Sequence, residues 1–256
     1  MIDSRALIDP SAKLANGVEV GPWSLIGPDV EIGEGTVIGP HVVVKGPTKI
    51  GKNNRIFQFA SVGEDCQDKK YAGEPTQLVI GDNNVIREGV TIHRGTIQDS
   101  GITTVGSDNL FMAYAHVAHD CVVGDHVIMA NNTAIAGHVH VGDWSILGGF
   151  TAVHQFCRIG AHVMCGTSTV VLKDIPDYIM ANGNTAKPHG INVEGLKRRG
   201  FTSEAIMNLK RAYKTIYRKK LTTVEALAEL RLLAQDCPEV ISLIQSIESS
   251  NRGIIR

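Results

Sequence analysis

Four histidines, a carboxylate and an amide recur within one stretch of this 256-residue chain: His116, His119, Asp120, His138, His154 and Gln155. An unperturbed imidazole titrates near neutrality, so His119 has the chemistry of a general base that takes a proton from a hydroxyl. Asp120 follows it directly and has the charge to orient the ring or to stabilise its cation. Gly137 offers a bare backbone N–H of the kind that holds a developing oxyanion. No Gly-x-Ser-x-Gly or similar nucleophile motif is present, which favours direct transfer over a covalent enzyme intermediate.

The element that must position these residues is a six-residue repeat. Stepping by six from Ile8 meets Leu14, Val20, Ile26, Ile32, Ile38, Val44, Ile50, Ile56 and Val62, every one apolar. The register returns at Ile80, Ile86 and Ile92, and again from Val105 through Phe111 and Val117 to Val171. Two positions before the apolar residue a small one recurs, as at Ser24, Thr36, Thr48, Ala60, Thr133 and Ser145, and glycine often follows it. A helical period of 3.6 cannot produce this pattern, and plain alternation lacks the recurring corner. Three such flat faces close a coil of 18 residues, with parallel strands stacked ~4.8 Å apart along its axis. Loops at about 63–79 and 94–104 interrupt the repeat, and the first keeps the phase because Val62 and Ile80 are 18 apart.

The coil converts sequence into position. Residues 18 apart share a column, which stacks His119, Gly137, Gln155 and Lys173, with Asp120 beside His138 and His116 on the adjacent face. Neighbours in a strand point to opposite sides, an objection to pairing His119 with Asp120 that weakens at a corner. Cys121, Cys157 and Cys165 fall on inward positions and read as small core residues. The five cysteines have no Cys-x-x-Cys pair, and the N-terminus has no apolar signal region. A reduced, cytoplasmic protein is therefore expected, without stable membrane insertion.

Beyond Val171 the period changes. Residues 174–190 read as an irregular connection, and from Ser203 apolar residues fall three to four apart behind a Thr202/Ser203 cap. Thr222 with Glu225 forms a capping box, and Pro238 suits the start of a last helix. The expected organisation is a mainly β solenoid over residues 1–190 and a small helical domain over 191–256. Net charge is −1 overall, which argues against nucleic acid as a partner. Residues 187–220 nevertheless carry ten Lys/Arg against Glu194 and Glu204. Such a run is either a solvated face or a docking surface for an acidic or phosphorylated partner.

Longer motifs carry a resemblance. The segments are His116-Val117-Ala118-His119-Asp120-Cys121, Ala136-Gly137-His138 and His154-Gln155-Phe156-Cys157, with residues 67–75, Thr91–Gly95 and Asn192–Phe201. Together they resemble the bacterial UDP-N-acetylglucosamine acyltransferases of lipid A synthesis, over essentially the whole chain. The resemblance implies a left-handed parallel β-helix and a cytoplasmic homotrimer with active sites between neighbouring solenoids. It implies transfer of a 3-hydroxyacyl group from acyl carrier protein to the 3-hydroxyl of UDP-N-acetylglucosamine, with no cofactor. By matching motif, His119 is the base, Asp120 its support and Gly137 the oxyanion donor. Asp68, Lys70, His116, His138 and Gln155 then contact sugar and phosphates, and His154 lies at the acyl channel. Asn192, Glu194 and Arg198 mark the nucleotide end. Thr167 falls where the family sets acyl length and some members carry glycine; Thr185 falls where some carry histidine. The basic surface, with Arg199, Lys210 and Arg211, would receive the acidic carrier protein.

Three rivals stand beside this reading. One is a related acyltransferase that N-acylates a glucosamine derivative, a family that typically carries an extra N-terminal domain, whereas this chain enters its repeat by residue 8. Another is a three-histidine zinc site of the kind a β-helix class of carbonic anhydrase uses, for which the ligand spacing here is not compelling. The last is a docking solenoid without catalysis.

Overall fold

The computed structural model describes all 256 residues. Short parallel strands, mostly of two residues, wind into a left-handed β-helix whose three faces are sheets of nine, eight and ten strands. The nine-stranded face carries His116–Val117, Ala134–Ile135 and Ala152–Val153 on successive coils, paired in register 18 apart. The eight-stranded face follows it in the chain, with Val122–Val123, His140–Val141 and Arg158–Ile159, and the ten-stranded face closes the triangle. Inward residues of the repeat form one continuous core; Ile26, Ile38, Ile56, Ile86, Ile135 and Leu147 are all at most 2% exposed.

The small position two before each apolar residue has a second task. Its hydroxyl links one coil to the next: Ser24 Oγ donates to the Gly39 carbonyl at 2.7 Å and accepts the Val42 N–H at 3.0 Å. Buried Asn54, Asn84 and Asn109 form the same link as a ladder, Asn54 Oδ1 accepting the Asn84 N–H and Asn84 Oδ1 the Asn109 N–H, each at 2.9 Å. Polar atoms in this thin core thus meet partners from rung to rung, and of these linking side chains only the Asn109 Nδ2, at the end of the ladder, is left without one.

Both loops lie at one corner, between the nine- and eight-stranded faces, and both are shorter than the spacing of the repeat implies. Strands extend to Glu64 and begin again at Gln77, and the second gap runs only from Arg94 to Gly101. Val62 and Ile80 share a phase but not a column. Ile50 pairs with Ile80, thirty residues on, so the first loop adds twelve residues to a single coil; Ile80 pairs with Val105, twenty-five on, so the second adds seven.

The segment expected to be irregular after Val171 holds two strands. Ile179–Asn182 continues the ten-stranded face parallel to Met164–Cys165, and Lys187–Ile191 returns antiparallel to it. Pro188 is accommodated because this strand lies at the sheet edge. Four helices follow: α1 (Val193–Arg198), α2 (Ser203–Tyr217), α3 (Thr223–Leu233) and α4 (Glu239–Glu248). Thr202 caps α2, and Thr222 with Glu225 makes the capping box of α3. The six-residue α1 escapes periodicity because it is barely longer than one turn.

Two aspartates fasten α4 and the segment after it to the last coils. Asp174 accepts the Arg158 N–H at 2.7 Å and the Ser250 hydroxyl at 2.6 Å. Asp177 accepts the Ala161 N–H at 2.9 Å and the Ser242 hydroxyl. Burial pushes the Asp177 carboxyl up to about 6, against the opposing effect of these hydrogen bonds. Its proton is therefore bound more tightly in the folded chain, so stability falls as pH rises from about 4 to about 6 and stays at the lower level above that. Asp177→Asn keeps an acceptor for Ala161 without the buried charge. It should gain about 2 kcal/mol in urea unfolding at pH 7.5 and lose that advantage at pH 4. A variant less stable than wild type at both values would refute this account.

Candidate active site

The corner that throws out the two loops also carries His119 and Asp120, then Gly137 and His138 one coil on, then Gln155 and Phe156. The stacking is direct: the His138 N–H donates to the His119 carbonyl and the Phe156 N–H to the Gly137 carbonyl, both at 3.1 Å. Asp120, His138 and Phe156 each turn the corner with φ near +60°. That backbone swings the Asp120 carboxylate to the same side as the His119 ring, so the two adjacent side chains meet. His119 Nδ1 lies 2.8 Å from Asp120 Oδ2.

Asp120 is 2% exposed. Burial alone would raise its carboxyl, but the His119 ring and Thr96 outweigh it and hold the group below the usual carboxylate range. Thr96, from the second loop, donates its N–H to Oδ1 at 2.8 Å and its hydroxyl to Oδ2 at 2.6 Å. An ionised carboxylate only accepts, so the proton on His119 sits at Nδ1 and the lone pair of the neutral ring is at Nε2. Nε2 lies over Gly137: a Cβ built there would come within 2.6 Å of it. Gly137 is buried, and its own N–H has no acceptor within the chain. A proton acceptor and an unengaged amide donor therefore share one spot.

Two hollows meet at His119. One, of about 500 Å³, has a floor of Ala118, Ala134, Ala136, Ala152 and Val153 with Asp68, His93 and His116 along its rim. The other, of about 450 Å³, is polar and is lined by Asp68, Lys70, Asp99, His138 and Gln155. His116 is held by Thr91, whose hydroxyl lies 2.7 Å from Nδ1. Burial, with His119 nearby, lowers the His116 imidazole; burial, then His116, brings His93 down to about 4. Both rings are thus neutral hydrogen-bonding groups in this hollow. His138 stacks on Phe156 at 4.3 Å, and its Nδ1 meets Asp99 Oδ2 at 2.8 Å.

Other expected residues are placed elsewhere. His154 is exposed, its Nδ1 3.1 Å from the Gln155 carbonyl oxygen, and it lines neither hollow; nor does Lys173. Thr167 is exposed at the opposite edge of the nine-stranded face, leading into the strand Val170–Val171. Asn192 is buried, accepting the Gly195 N–H at 3.1 Å as the cap of α1 and donating to the His162 carbonyl at 3.1 Å. Glu194 pairs with Lys197 at 2.9 Å, and Arg198 is exposed. These three lie near the corner of Trp144 and His162, not that of His119, so within one chain they do not join its site. Arg199 is not a free docking cation. It stacks on Trp144 at 5.1 Å and donates to the Trp144 carbonyl at 2.8 Å, while Lys210 and Arg211 remain exposed on α2.

Sequence reading missed Thr96 and Asp99 because loop length hides which coil a loop residue touches. Thr96→Val should leave substrate affinity near wild type and lower turnover roughly tenfold, since the hydrogen-bonded carboxylate then orients His119 less well. Restored turnover in Thr96→Ser would separate this from a packing defect. Ligand atoms of His119, Asp120 and His138 lie within 4.8 Å of one another, so a cation is sterically possible here. The donor set fits poorly: Asp120 Oδ2 already takes the His119 Nδ1 and Thr96 hydrogens, and metal binding would break the pairing of His119 with Asp120.

The family model described as Udp N-acetylglucosamine O-acyltransferase, Domain 2, matches residues 174–255, and that of the bacterial transferase hexapeptide (six repeats) matches 102–137. A curated acyl-[acyl-carrier-protein]–UDP-N-acetylglucosamine O-acyltransferase of Pseudomonas putida is 64% identical over 255 residues, covering 100% of this chain and 99% of the relative. This chain belongs to that acyltransferase family. A Stutzerimonas stutzeri relative of the same name is 61% identical over 256 residues, again covering 100% and 99%. Solved acyltransferase structures agree: LpxA of Acinetobacter baumannii superposes with a TM-score of 0.97 at 52% identity, covering 100% of this chain and 99% of its own. The UDP-N-acetylglucosamine acyltransferase of Francisella novicida gives 0.98 at 45%, covering 100% and 94%. As a member of this acyltransferase family the chain is an enzyme, and none of its helices is long and apolar enough to cross a membrane.

Proposed function

We propose that this acyltransferase moves a 3-hydroxyacyl group from acyl carrier protein to the 3-hydroxyl of UDP-N-acetylglucosamine, the first step of lipid A biosynthesis. The observation that carries the mechanism is the free Nε2 of an Asp120-held His119 beside the unengaged Gly137 amide. The sugar occupies the polar hollow, met by Asp68, Lys70, His138 and Gln155, and His116 contacts it across the rim. His119 Nε2 removes the proton of the 3-hydroxyl as its oxygen attacks the thioester carbonyl. The tetrahedral oxyanion forms against the Gly137 N–H. Collapse expels the carrier thiolate, which takes the proton back from the imidazolium. A thioester is already activated, so a base, an oxyanion donor and tight positioning suffice.

The acyl chain lies along the alanine floor. Thr167 opens the third coil above His119 on the same face, ~14 Å along the axis at the strand spacing, which suits a residue that limits chain length. Asn192, Glu194 and Arg198 reach the nucleotide from a neighbouring copy in a cytoplasmic homotrimer. The outward positions of the ten-stranded face support such packing: Leu110, Ile128, Ile146, Met164 and Met180 make an apolar strip over five coils. With the solenoid as residues 1–190 and the helical domain as 191–256, Lys210 and Arg211 face the acidic carrier protein.

The test is to incubate the protein with UDP-N-acetylglucosamine and a series of hydroxyacyl carrier proteins, with and without a chelator. An acyl-sugar nucleotide formed equally in both arms is expected; none in either arm sinks the proposal, and loss on chelation alone would make the His119, Asp120 and His138 cluster a metal site. Reversing charge at Lys210 and Arg211 should raise KM for the carrier protein, more at low salt. An unchanged KM would leave α2 a solvated face.

A further inference from the structure

Away from the His119 corner, the antiparallel strand Lys187–Ile191 and the C-terminal part of α2 enclose a notch of about 280 Å³. Its charged lining is Lys187, Arg218 and Arg256. Of the other cations in the helical domain, Lys197 is paired with Glu194 at 2.9 Å, and Lys219 with Glu229 and Arg231 with Glu248, each at 2.5 Å, while Lys210, Arg211 and Lys214 stand unpaired on the exposed face of α2 rather than around a hollow. None of the three around the notch has an Asp or Glu carboxylate within ion-pair distance, although like charges brought together repel.

Arg256 is held in place rather than trailing. Ile254 pairs with Asp174 in a bridge, the Ile255 N–H donates to the Asp174 carbonyl at 2.9 Å, and both isoleucines are buried. The Arg256 guanidinium donates to Thr223 Oγ1 at 3.0 Å, which leaves most of its N–H donors unused.

The wall of the notch adds a neutral donor. Tyr213 and Tyr217 lie with ring centroids 5.0 Å apart, and the Tyr213 hydroxyl donates to the Pro188 carbonyl at 3.1 Å. The Tyr217 hydroxyl is fully buried and has no partner at all. A buried O–H without an acceptor is costly, and such groups are rare in folded chains. Three cations without an Asp or Glu partner line this small hollow, and one of its lining residues, Tyr217, carries an unpaired hydroxyl donor; all four lack the same component, an acceptor of high charge density.

We propose that this notch binds a small tetrahedral oxyanion, inorganic phosphate or a phosphomonoester, held by Lys187, Arg218 and Arg256 with the Tyr217 hydroxyl as fourth donor. Planar guanidinium forks suit phosphate oxygens, and the positive charge present exceeds what one carboxylate would balance. The site is separate from the hollows at His119, whose lining shares none of these residues.

The experiment is thermal unfolding and calorimetric titration of the full chain with inorganic phosphate, methyl phosphate and acetate at fixed ionic strength. Phosphate and methyl phosphate should each raise Tm saturably, and acetate should not. Lys187→Gln with Arg218→Gln should weaken phosphate binding at least about tenfold, the scale of losing a charge-assisted hydrogen bond. Tyr217→Phe should do two opposite things: raise Tm without phosphate, by removing the orphan hydroxyl, and weaken phosphate binding several-fold. A merely structural hydroxyl would give the first effect without the second. Phosphate affinity equal to wild type in the double variant, or acetate binding as well as phosphate, overturns the proposal.

Discussion

His119→Ala should lower turnover at least about a hundredfold, the usual scale for removing a general base. The loss should appear in kcat and not in KM, because Asp68, Lys70, His138 and Gln155 still line the polar hollow when the ring is gone. Folding should survive the change. The buried Asp120 carboxylate keeps both hydrogen bonds from Thr96, so no charge is left without a partner. Steady-state kinetics at saturating acceptor, with a thermal melt of the same sample, checks both halves. Near-normal turnover in a folded variant would remove His119 from its role and leave the amide and the positioning of substrates as the whole of catalysis.

Gly137→Ala makes the second large effect, through geometry alone. The added Cβ would lie 2.5 Å from His119 Cε1 and 2.6 Å from Nε2, closer than such contacts occur, so the ring must move. It cannot rotate far without giving up its 2.8 Å contact with Asp120. Displacing a reacting atom by about 1 Å costs on the order of a hundredfold, and a loss of that size in kcat is expected here. The amide itself remains, so the variant tests the place of the base and not the oxyanion donor. Unaltered kcat would mean that the ring works equally well from another position, and the tight stacking of His119 on Gly137 would not matter.

Much of this architecture is legible in the sequence because a thin solenoid imposes its period on every coil. An inward branched residue at each sixth position is a packing requirement, so Ile26, Ile38 and Ile135 announce themselves. The same period, by counting alone, brings His119 under Gly137. It fails where the chain leaves the coil. Thr96 stands 24 residues before the Asp120 it holds, on a coil lengthened by a loop, and no spacing rule predicts that contact. Asp99 is hidden in the same way from His138, 39 residues on. The two strands after Val171 are masked by Pro188 and nearby glycines, which read as breaks but sit at a sheet edge. The pairing of His119 with Asp120 depends on the left-handed backbone at residue 120, which an aspartate at a corner permits but does not announce.

That left-handed corner has a consequence for how such a catalyst can change over time. Each coil contributes one residue to the corner column, and coils touch only their immediate neighbours, so a substitution is felt one rung up and one rung down. Energies of changes at Asp120 and Phe156, two rungs apart, should be far closer to additive than those at Asp120 and His138. A lineage can therefore revise what one rung offers to a substrate while the rungs beyond its neighbours keep their contacts, and the loops thrown from this corner can lengthen or shorten without moving the register of the other two faces.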